Sequence, residues 1–383
     1  MNSFTVNLAN SDGLSRHRRA LPALTGVRFI AAFYVVVFHA LPWLQQRFTL
    51  PQPLITFLGN GYLAVCLFFI LSGFILTYTY EGQIEGRLNR THFWEARFAR
   101  IYPVYFLSLV LAYVFERGLS LTTRLAVLTM IQAWNPRAPA LTGAWNYPAW
   151  SLSVEIFFYL CFPFFLPWMS RISDLLLPWL IAFLGTACVL LHTPVRGLGI
   201  LDRTSFLANN VPLPVLRMPE FLIGSAIGLK VLRAGRTVPR RTDIRLYLAV
   251  LACVVLLSSP LGPWVSLVAV PFAIVVHDFA HSRSLLARAL ASRPMVLLGS
   301  ASYAIYLLQF PIRSWTRILF SRFLPRYAGV GTALTPLILV LFSIAVFYLW
   351  EEPCRKVIRS FFAPGEPTAA KLNSTSPANN LGS

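Results

Sequence analysis

The sequence predicts an all-α, polytopic membrane protein with about ten transmembrane helices and both termini on the cytoplasmic side. Of its 383 residues, 56% are hydrophobic and only 12% are charged, whereas about a quarter of the residues in a soluble domain are charged. The apolar residues fall into long runs, many of them close to the roughly 20 residues that a helix needs to cross a bilayer. These observations exclude a soluble globular protein.

The chain divides into an arm, a membrane domain and a tail. Residues 1–20 are predicted to form a basic cytoplasmic arm, 21–361 the transmembrane domain and 362–383 a disordered cytoplasmic tail. An apolar piece at 125–133 is too short to cross and is interpreted as re-entrant or interfacial. The predicted spans are 24–45, 57–80, 98–116, 148–169, 175–192, 213–232, 246–259, 263–280, 295–312 and 331–350.

The formal net charge is +19, and the Arg and Lys residues lie mostly between the apolar runs. On a soluble domain this charge would suggest nucleic acid, but between spans it is typical of cytoplasmic loops and of contact with bilayer lipids. We therefore expect no nucleic-acid partner. About two thirds of the 33 basic residues fall inside when both termini are cytoplasmic. Four of the remaining basic residues follow the ninth span and are candidates for an outward anion site or an amphipathic segment: Arg313, Arg317, Arg322 and Arg326.

The five cysteines show no spacing typical of a zinc or redox site. Four of them lie inside apolar runs and are interpreted as small core residues. We therefore expect neither a metal nor a disulfide framework.

Arg28 and His39 are ionisable residues of the first span. They are eleven residues apart, which is about three helical turns, so both side chains face the same way, roughly 16 Å apart along the axis. Ionisable side chains inside a span are costly and usually line a cavity. The pair offers a positive charge and a proton-transfer group. The structural alternative is a snorkelling Arg and a His bonded to a neighbouring helix.

Arg97 and Arg100 share a helix face at the predicted cytoplasmic end of the third span. Paired guanidinium groups suit phosphate binding, although they also anchor a span on the cytoplasmic side. Glu155 lies inside the fourth span and requires a partner. Since Glu155 and His39 both fall in the predicted outer half, we expect Glu155 to orient the imidazole and leave His39 as a base for a hydroxyl. A purely structural pair is the alternative.

Two further motifs are less specific. Ser72 and Gly73 in the second span offer a hydroxyl donor beside a close backbone approach, as ordinary helix contacts also do. Arg217 and Glu220 lie at the outer start of the sixth span, where they would bind a polar acceptor or mark the interface.

In this order, the motifs resemble the acyltransferase-3 family of integral membrane acyltransferases over about residues 21–358. The resemblance implies transfer of an acyl group, usually acetyl, from acyl-CoA to a hydroxyl, most often of a surface or exported carbohydrate, in the bacterial inner membrane. It also implies that Arg28, Arg97 and Arg100 face the CoA, with Ser72 beside them, and that His39 is catalytic. Many relatives have His where this chain has Gln309. The matching elements are Arg28-x10-His39, Phe68 to Phe74, Arg97 to Pro103, Trp150 to Glu155, Arg217-x3-Phe221, Gly299 to Leu307 and Glu352-Pro353.

Other functions remain open at this point. Within the same enzyme class, the acceptor is a small molecule, such as a macrolide or a lipid-linked intermediate, and transfer proceeds directly or through an acyl-His intermediate. A glycan or organic-anion transporter is the alternative from another class, although transporters usually show internal repeats with broken spans in matching positions. A non-catalytic scaffold would not need Arg28, His39 and Glu155.

Overall fold

The computed structural model describes residues 18–83, 86–116, 118–192, 206–235 and 242–362. Over these ranges the chain is all-helical, as predicted, without a β-strand. Most of the predicted arm, residues 1–17, and of the predicted tail, residues 363–383, lies outside the described residues.

Eighteen α-helices are described, with short 3₁₀ helices at Gly61–Leu63, Tyr113–Phe115, Tyr147–Ala149, Gly262–Val268 and Pro325–Tyr327 and a π-helical turn at Phe347–Glu351. In chain order they are α1 (Pro22–Arg47), α2 (Gln52–Gly59), α3 (Ala64–Tyr80), α4 (Gly86–Ala112), α5 (Leu121–Leu128), α6 (Pro139–Thr142), α7 (Trp150–Met169), α8 (Leu177–His192), α9 (Phe206–Asn210), α10 (Leu213–Leu216), α11 (Met218–Ala234), α12 (Thr242–Ser258), α13 (Ala269–Phe279), α14 (Leu285–Leu290), α15 (Arg293–Ser300), α16 (Ser302–Phe323), α17 (Ala328–Val346) and α18 (Glu352–Phe362).

Within the described ranges, five helical segments are long and apolar enough to cross a membrane, and α15 and α16, bent by 57°, would make a sixth if they form one span. The ten predicted spans are therefore not confirmed, and the orientation of the termini stays a prediction. Some of the apolar runs form shorter helices; α13, for example, is preceded by the 3₁₀ segment Gly262–Val268. The five are Pro22–Arg47, Gln52–Tyr80, Arg90–Phe115, Tyr147–Met169 and Gly329–Phe362.

The predicted non-crossing piece at 125–133 forms the end of the eight-residue helix α5 and the turn after it. This turn packs on α7: the main-chain nitrogen of Ala133 donates to Ser153 Oγ at 3.1 Å, and Trp134 Nε1 donates to the main-chain oxygen of Ser153 at 2.8 Å. Just before α7, Asn146 is only 1% exposed, whereas its neighbour Tyr147 is 52% exposed. Helix α7 therefore begins close to the surface, on a turn that is anchored in the protein by Asn146.

Helices α3 and α11 pack backbone against backbone. A Cβ added to Gly73 would overlap the main-chain oxygen of Phe221, and one added to Gly224 would overlap that of Ile70. Ser225 Oγ also donates to the main-chain oxygen of Gly73 at 3.4 Å. Gly73 thus permits the close approach that the sequence predicts, and Ser72 lies directly beside it.

Candidate active site

Five of the six predicted site residues line one cavity between α1, α3, α4, α7 and α16. They are the four residues predicted to contact the donor, together with Glu155: Arg28, Ser72, Arg97, Arg100 and Glu155. Their side chains come from four helices, so only the tertiary fold brings them together. His39 is not among the lining residues. We call this space the cationic cavity.

The three arginines of the cationic cavity are held differently. Arg100 pairs with Glu351, and Arg97 Nη2 donates to the hydroxyl of Tyr80 at 3.0 Å. Arg28 forms no hydrogen bond or ion pair with the part of the chain that the structure describes, although it lies within electrostatic reach of Arg100, Glu155 and Glu351. Its guanidinium group is therefore free to bind an anion in the cavity.

Glu351 is a residue that sequence reasoning missed. It is 0% exposed and ends the π-helical turn between α17 and α18, and the neighbouring Trp350 donates through Nε1 to the main-chain oxygen of Pro103 at 2.9 Å. Turns of this kind are rare and frequent at functional sites. The available signal was a carboxylate at the end of an apolar run, which needs a partner. The motif match drew attention only to the next residue, Glu352.

Glu155 does not pair with His39, so this prediction is wrong. Its Oε1 accepts hydrogen bonds from Ser72 Oγ at 2.8 Å and from the hydroxyl of Tyr159 at 2.5 Å. The error comes from depth: Tyr147, just before α7, already lies beside His39, and Glu155 follows eight residues later, roughly 12 Å further along the chain. Glu155 therefore lies at the level of Arg28, not of His39.

His39 lies about three turns further along α1 than Arg28, roughly 16 Å along the axis. Its Nδ1 is 2.9 Å from Oε1 of Gln309 on α16, and Arg313 Nη1 donates to the main-chain oxygen of His39 at 2.9 Å. Gln309, which the sequence singled out only as a departure from relatives, is thus the side chain that contacts the imidazole. Arg313, which also lies beside His39, is one of the four arginines that the excess of basic residues in cytoplasmic loops did not explain.

Aromatic rings surround His39. The ring centroids of Phe38, Phe310 and Tyr147 lie 4.9, 5.7 and 6.2 Å from that of the imidazole, and Tyr62 packs on Phe38 at 5.9 Å. Tyr147 is 52% exposed and Tyr62 37%, so the group opens to the outside of the protein. We call these four residues the aromatic rim.

Arg217 and Glu220 form a buried cluster and do not lie exposed at the membrane interface. Arg217 Nη1 lies 3.2 Å from Glu220 Oε1 and also contacts His192 Nε2, and its guanidinium stacks on Phe69 at 5.2 Å. Glu220 is 0% exposed and Arg217 8%. The cluster lies behind the cationic cavity, because Phe69, on which Arg217 stacks, is one of the residues that line it. In the described ranges, no group of three or more His, Cys, Asp or Glu residues is arranged to hold a metal ion.

Comparisons with known proteins point to one family. Residues 21–350 match the family model described as an acyltransferase domain. The chain is 30% identical over 316 residues to Acyltransferase MdmB of Streptomyces mycarofaciens, covering 76% of this chain and 79% of that protein. It is 24% identical over 335 residues to the Putative peptidoglycan O-acetyltransferase YrhL of Bacillus subtilis and 23% identical over 335 residues to the Peptidoglycan O-acetyltransferase OatA of Listeria monocytogenes. Each of these two alignments covers 78% of this chain and about half of the relative, 49% and 50%. No solved structure matches.

Proposed function

Because the chain belongs to the acyltransferase-3 family, we propose that it transfers an acetyl group from cytoplasmic acetyl-CoA to a hydroxyl of a surface or exported glycan. The enzyme lies in the bacterial inner membrane, with the cationic cavity open toward the cytoplasmic donor and His39 toward the acceptor. One observation carries this proposal. Three arginines on two helices meet in one cavity, and a proton-transfer group lies about 16 Å from it along the same helix.

The cationic cavity binds the donor. CoA carries phosphate groups, and guanidinium groups bind phosphates through paired, charge-assisted hydrogen bonds. Arg28 is available for such bonds because no described residue forms a hydrogen bond or an ion pair with its guanidinium group. Arg97 is already positioned by Tyr80, and Arg100 by Glu351. The carboxylates balance part of the positive charge, which lowers the cost of keeping three guanidinium groups close together.

His39 performs the proton transfer. Its imidazole removes the proton of the acceptor hydroxyl while the hydroxyl oxygen attacks the carbonyl carbon of the thioester. The carbon–sulfur bond then breaks, the CoA sulfur takes the proton from the imidazolium, and an ester and a free thiol result. The alternative is an acyl group carried transiently by His39, which predicts ping-pong kinetics.

Glu155 acts at the donor site rather than at the imidazole. It accepts hydrogen bonds from Ser72 and Tyr159, both of which line the cationic cavity. Its role is to fix these two hydroxyl groups and to balance the neighbouring arginines. This keeps Glu155 in the active site but in a different role from the one that the sequence predicts.

The aromatic rim supports a carbohydrate acceptor. Aromatic rings present large, rigid apolar faces, which match the apolar C–H faces of sugar rings, and Arg313 adds a charged donor beside them. The names of two relatives describe peptidoglycan O-acetyltransferases, which favours the same acceptor class. The rim also suits a small acceptor with an apolar body, such as a macrolide, and this is the second candidate.

The test uses the purified full chain in nanodiscs with radiolabelled acetyl-CoA. Arg28→Gln should weaken acetyl-CoA binding about 10- to 100-fold, since one charge-assisted hydrogen bond contributes roughly 1.5–3 kcal/mol, and should leave the acceptor KM unchanged. Arg47→Gln is the matched control because Arg47 ends the same helix and is exposed. Unchanged donor binding in Arg28→Gln, or a rise confined to the acceptor KM, would refute donor binding at this cavity. Labelling of a macrolide but of no oligosaccharide would favour the second candidate.

A further inference from the structure

Gln309 links the imidazole of His39 to the main chain of α16. Its Nε2 lies 2.7 Å from the main-chain oxygen of Tyr306, one turn earlier in the same helix, and its Oε1 lies 2.9 Å from Nδ1 of His39. Gln309 is only 5% exposed. The amide therefore bridges a fixed carbonyl oxygen and the ring, with little competition from water.

The contact with Tyr306 decides which way the amide points. The two ends of a glutamine amide have nearly the same shape, so its orientation follows from its partners. A main-chain carbonyl oxygen only accepts hydrogen bonds, so the NH₂ group faces Tyr306 and the amide oxygen faces His39. Because the amide oxygen also only accepts, the hydrogen between Gln309 and His39 belongs to Nδ1.

We propose that Gln309 is a positioning residue that keeps the proton of neutral His39 on Nδ1 and leaves the lone pair of Nε2 to act as the base. This inference rests on the proposed function, in which His39 takes the proton of the acceptor. The partner of one ring nitrogen commonly sets the state of the other. Arg313 donates to the main-chain oxygen of His39, so α16 holds both the backbone and the ring.

A neutral amide thus takes the place that a carboxylate occupies in many His-dependent acyl-transfer sites. Glu155, the predicted partner, accepts its hydrogen bonds elsewhere, from Ser72 and Tyr159. Among the described residues, Gln309 is the side chain that forms a hydrogen bond to the ring of His39. It supplies orientation and tautomer without adding a charge beside the imidazole.

NMR of the histidine ring nitrogens measures the tautomer directly in the isotope-labelled full chain in nanodiscs. The chain has six histidines, and the His39 signal is identified by its loss in His39→Ala. The wild type should carry the hydrogen on Nδ1, and Gln309→Leu, which keeps a similar volume without the amide, should give a mixture of tautomers. A wild-type hydrogen on Nε2, or an unchanged tautomer in Gln309→Leu, overturns the proposal.

Kinetics supply the second readout. Gln309→Leu should lower kcat about 10- to 100-fold while both KM values stay near wild type, because it changes proton transfer and not binding. Gln309→His should recover part of kcat, since a neutral imidazole also accepts from Nδ1–H. Gln132→Leu is the matched control: Gln132 is fully buried and donates to the main-chain oxygen of Ala149 at 3.3 Å. Equal losses in the two leucine variants would overturn the positioning role.

The two readouts separate this inference from the proposed function. If Gln309→Leu changes the tautomer but His39→Ala turns over at the wild-type rate, His39 is not the base, and both the proposed function and the role of Nε2 fail. If His39→Ala is inactive but Gln309→Leu keeps the wild-type tautomer and kcat, the proposed function stands and only the role of Gln309 is overturned.

Discussion

The cationic cavity and the surroundings of His39 share α1 and α16 but hold their functional groups by opposite means. In the cavity, guanidinium groups lie near the carboxylates of Glu155 and Glu351, and Arg100 is paired directly with Glu351. At His39, the contacts come from an amide, Gln309, and from the aromatic rim. One region is built from charges of both signs, whereas the imidazole ring contacts neutral groups and the nearby Arg313 donates to the main chain of His39 and not to its ring.

This difference fits a division of labour between binding and chemistry. Fixed charges bind an anion strongly, and they are tolerated inside a protein when partners of opposite sign are near. An imidazole that must accept a proton and release it again works best without a permanent charge that commits it to one state. The predictions below test whether each region has only its own role.

The largest effect is expected at His39. His39→Ala removes the proton-transfer group and should lower acyl transfer by about 10²–10⁴-fold, while the affinity for acetyl-CoA stays at wild type because the cationic cavity is intact. Transfer is measured with radiolabelled donor and affinity by calorimetry. His92→Ala is the control, since His92 lies on α4, partly buried and outside both regions. Near-normal transfer in His39→Ala would mean that another group transfers the proton, and it would contradict the separate roles of the two regions.

A smaller loss is expected for Glu155→Gln. This change keeps the shape but weakens the charge-assisted hydrogen bonds from Ser72 and Tyr159, so kcat/KM for acetyl-CoA should fall about 10- to 100-fold. The acceptor KM should not move. Initial rates are measured with each substrate varied in turn. A fall in kcat/KM for the acceptor alone would mean that Glu155 acts at His39 and not at the cationic cavity.

The smallest effect is expected for Arg97→Lys. Lysine keeps the charge but loses the planar fork and its position over the rings of Tyr80 and Phe93, so the donor KM should rise about 3- to 10-fold. Arg90→Lys is the matched control, because Arg90 lies on the same helix and stacks on Phe164 at 5.1 Å, outside the cavity. Equal changes in the two variants would mean that ring stacking on α4, and not donor binding, explains the effect.

The sequence predicted what depends on a single helix. The spacing of Arg28 and His39 fixes their common face through helix geometry alone, and both side chains do meet α16, Arg28 at the cavity lined by Tyr303 and His39 at Gln309. The meeting of Arg28, Ser72, Arg97 and Arg100 followed from the ordered motifs. The all-helical class followed from composition.

The predictions that did not hold concern two things: how deep a side chain lies along its helix, and which side chain of another helix it contacts. Glu155 was placed with His39 because its depth was counted from the start of an apolar run, and a run does not reveal that Tyr147, before α7, already lies at the level of His39. Glu351 was missed because its partner, Arg100, is 251 positions away. The count of ten spans is not confirmed, because an apolar run does not show where a 3₁₀ segment such as Gly262–Val268 shortens the helix that follows.

The glycine contact between α3 and α11 makes the backbone behind one wall of the cationic cavity inflexible. Gly73 and Gly224 bring two backbones together without a side chain between them, so the backbone of α3 cannot move toward α11 to widen the cavity. Ser72, which lies beside the contact, is fixed with it. Redesign of the enzyme for a longer acyl chain should therefore begin on the opposite walls, at side chains of α7 and α16 such as Leu152 and Tyr306, where shortening a side chain creates room.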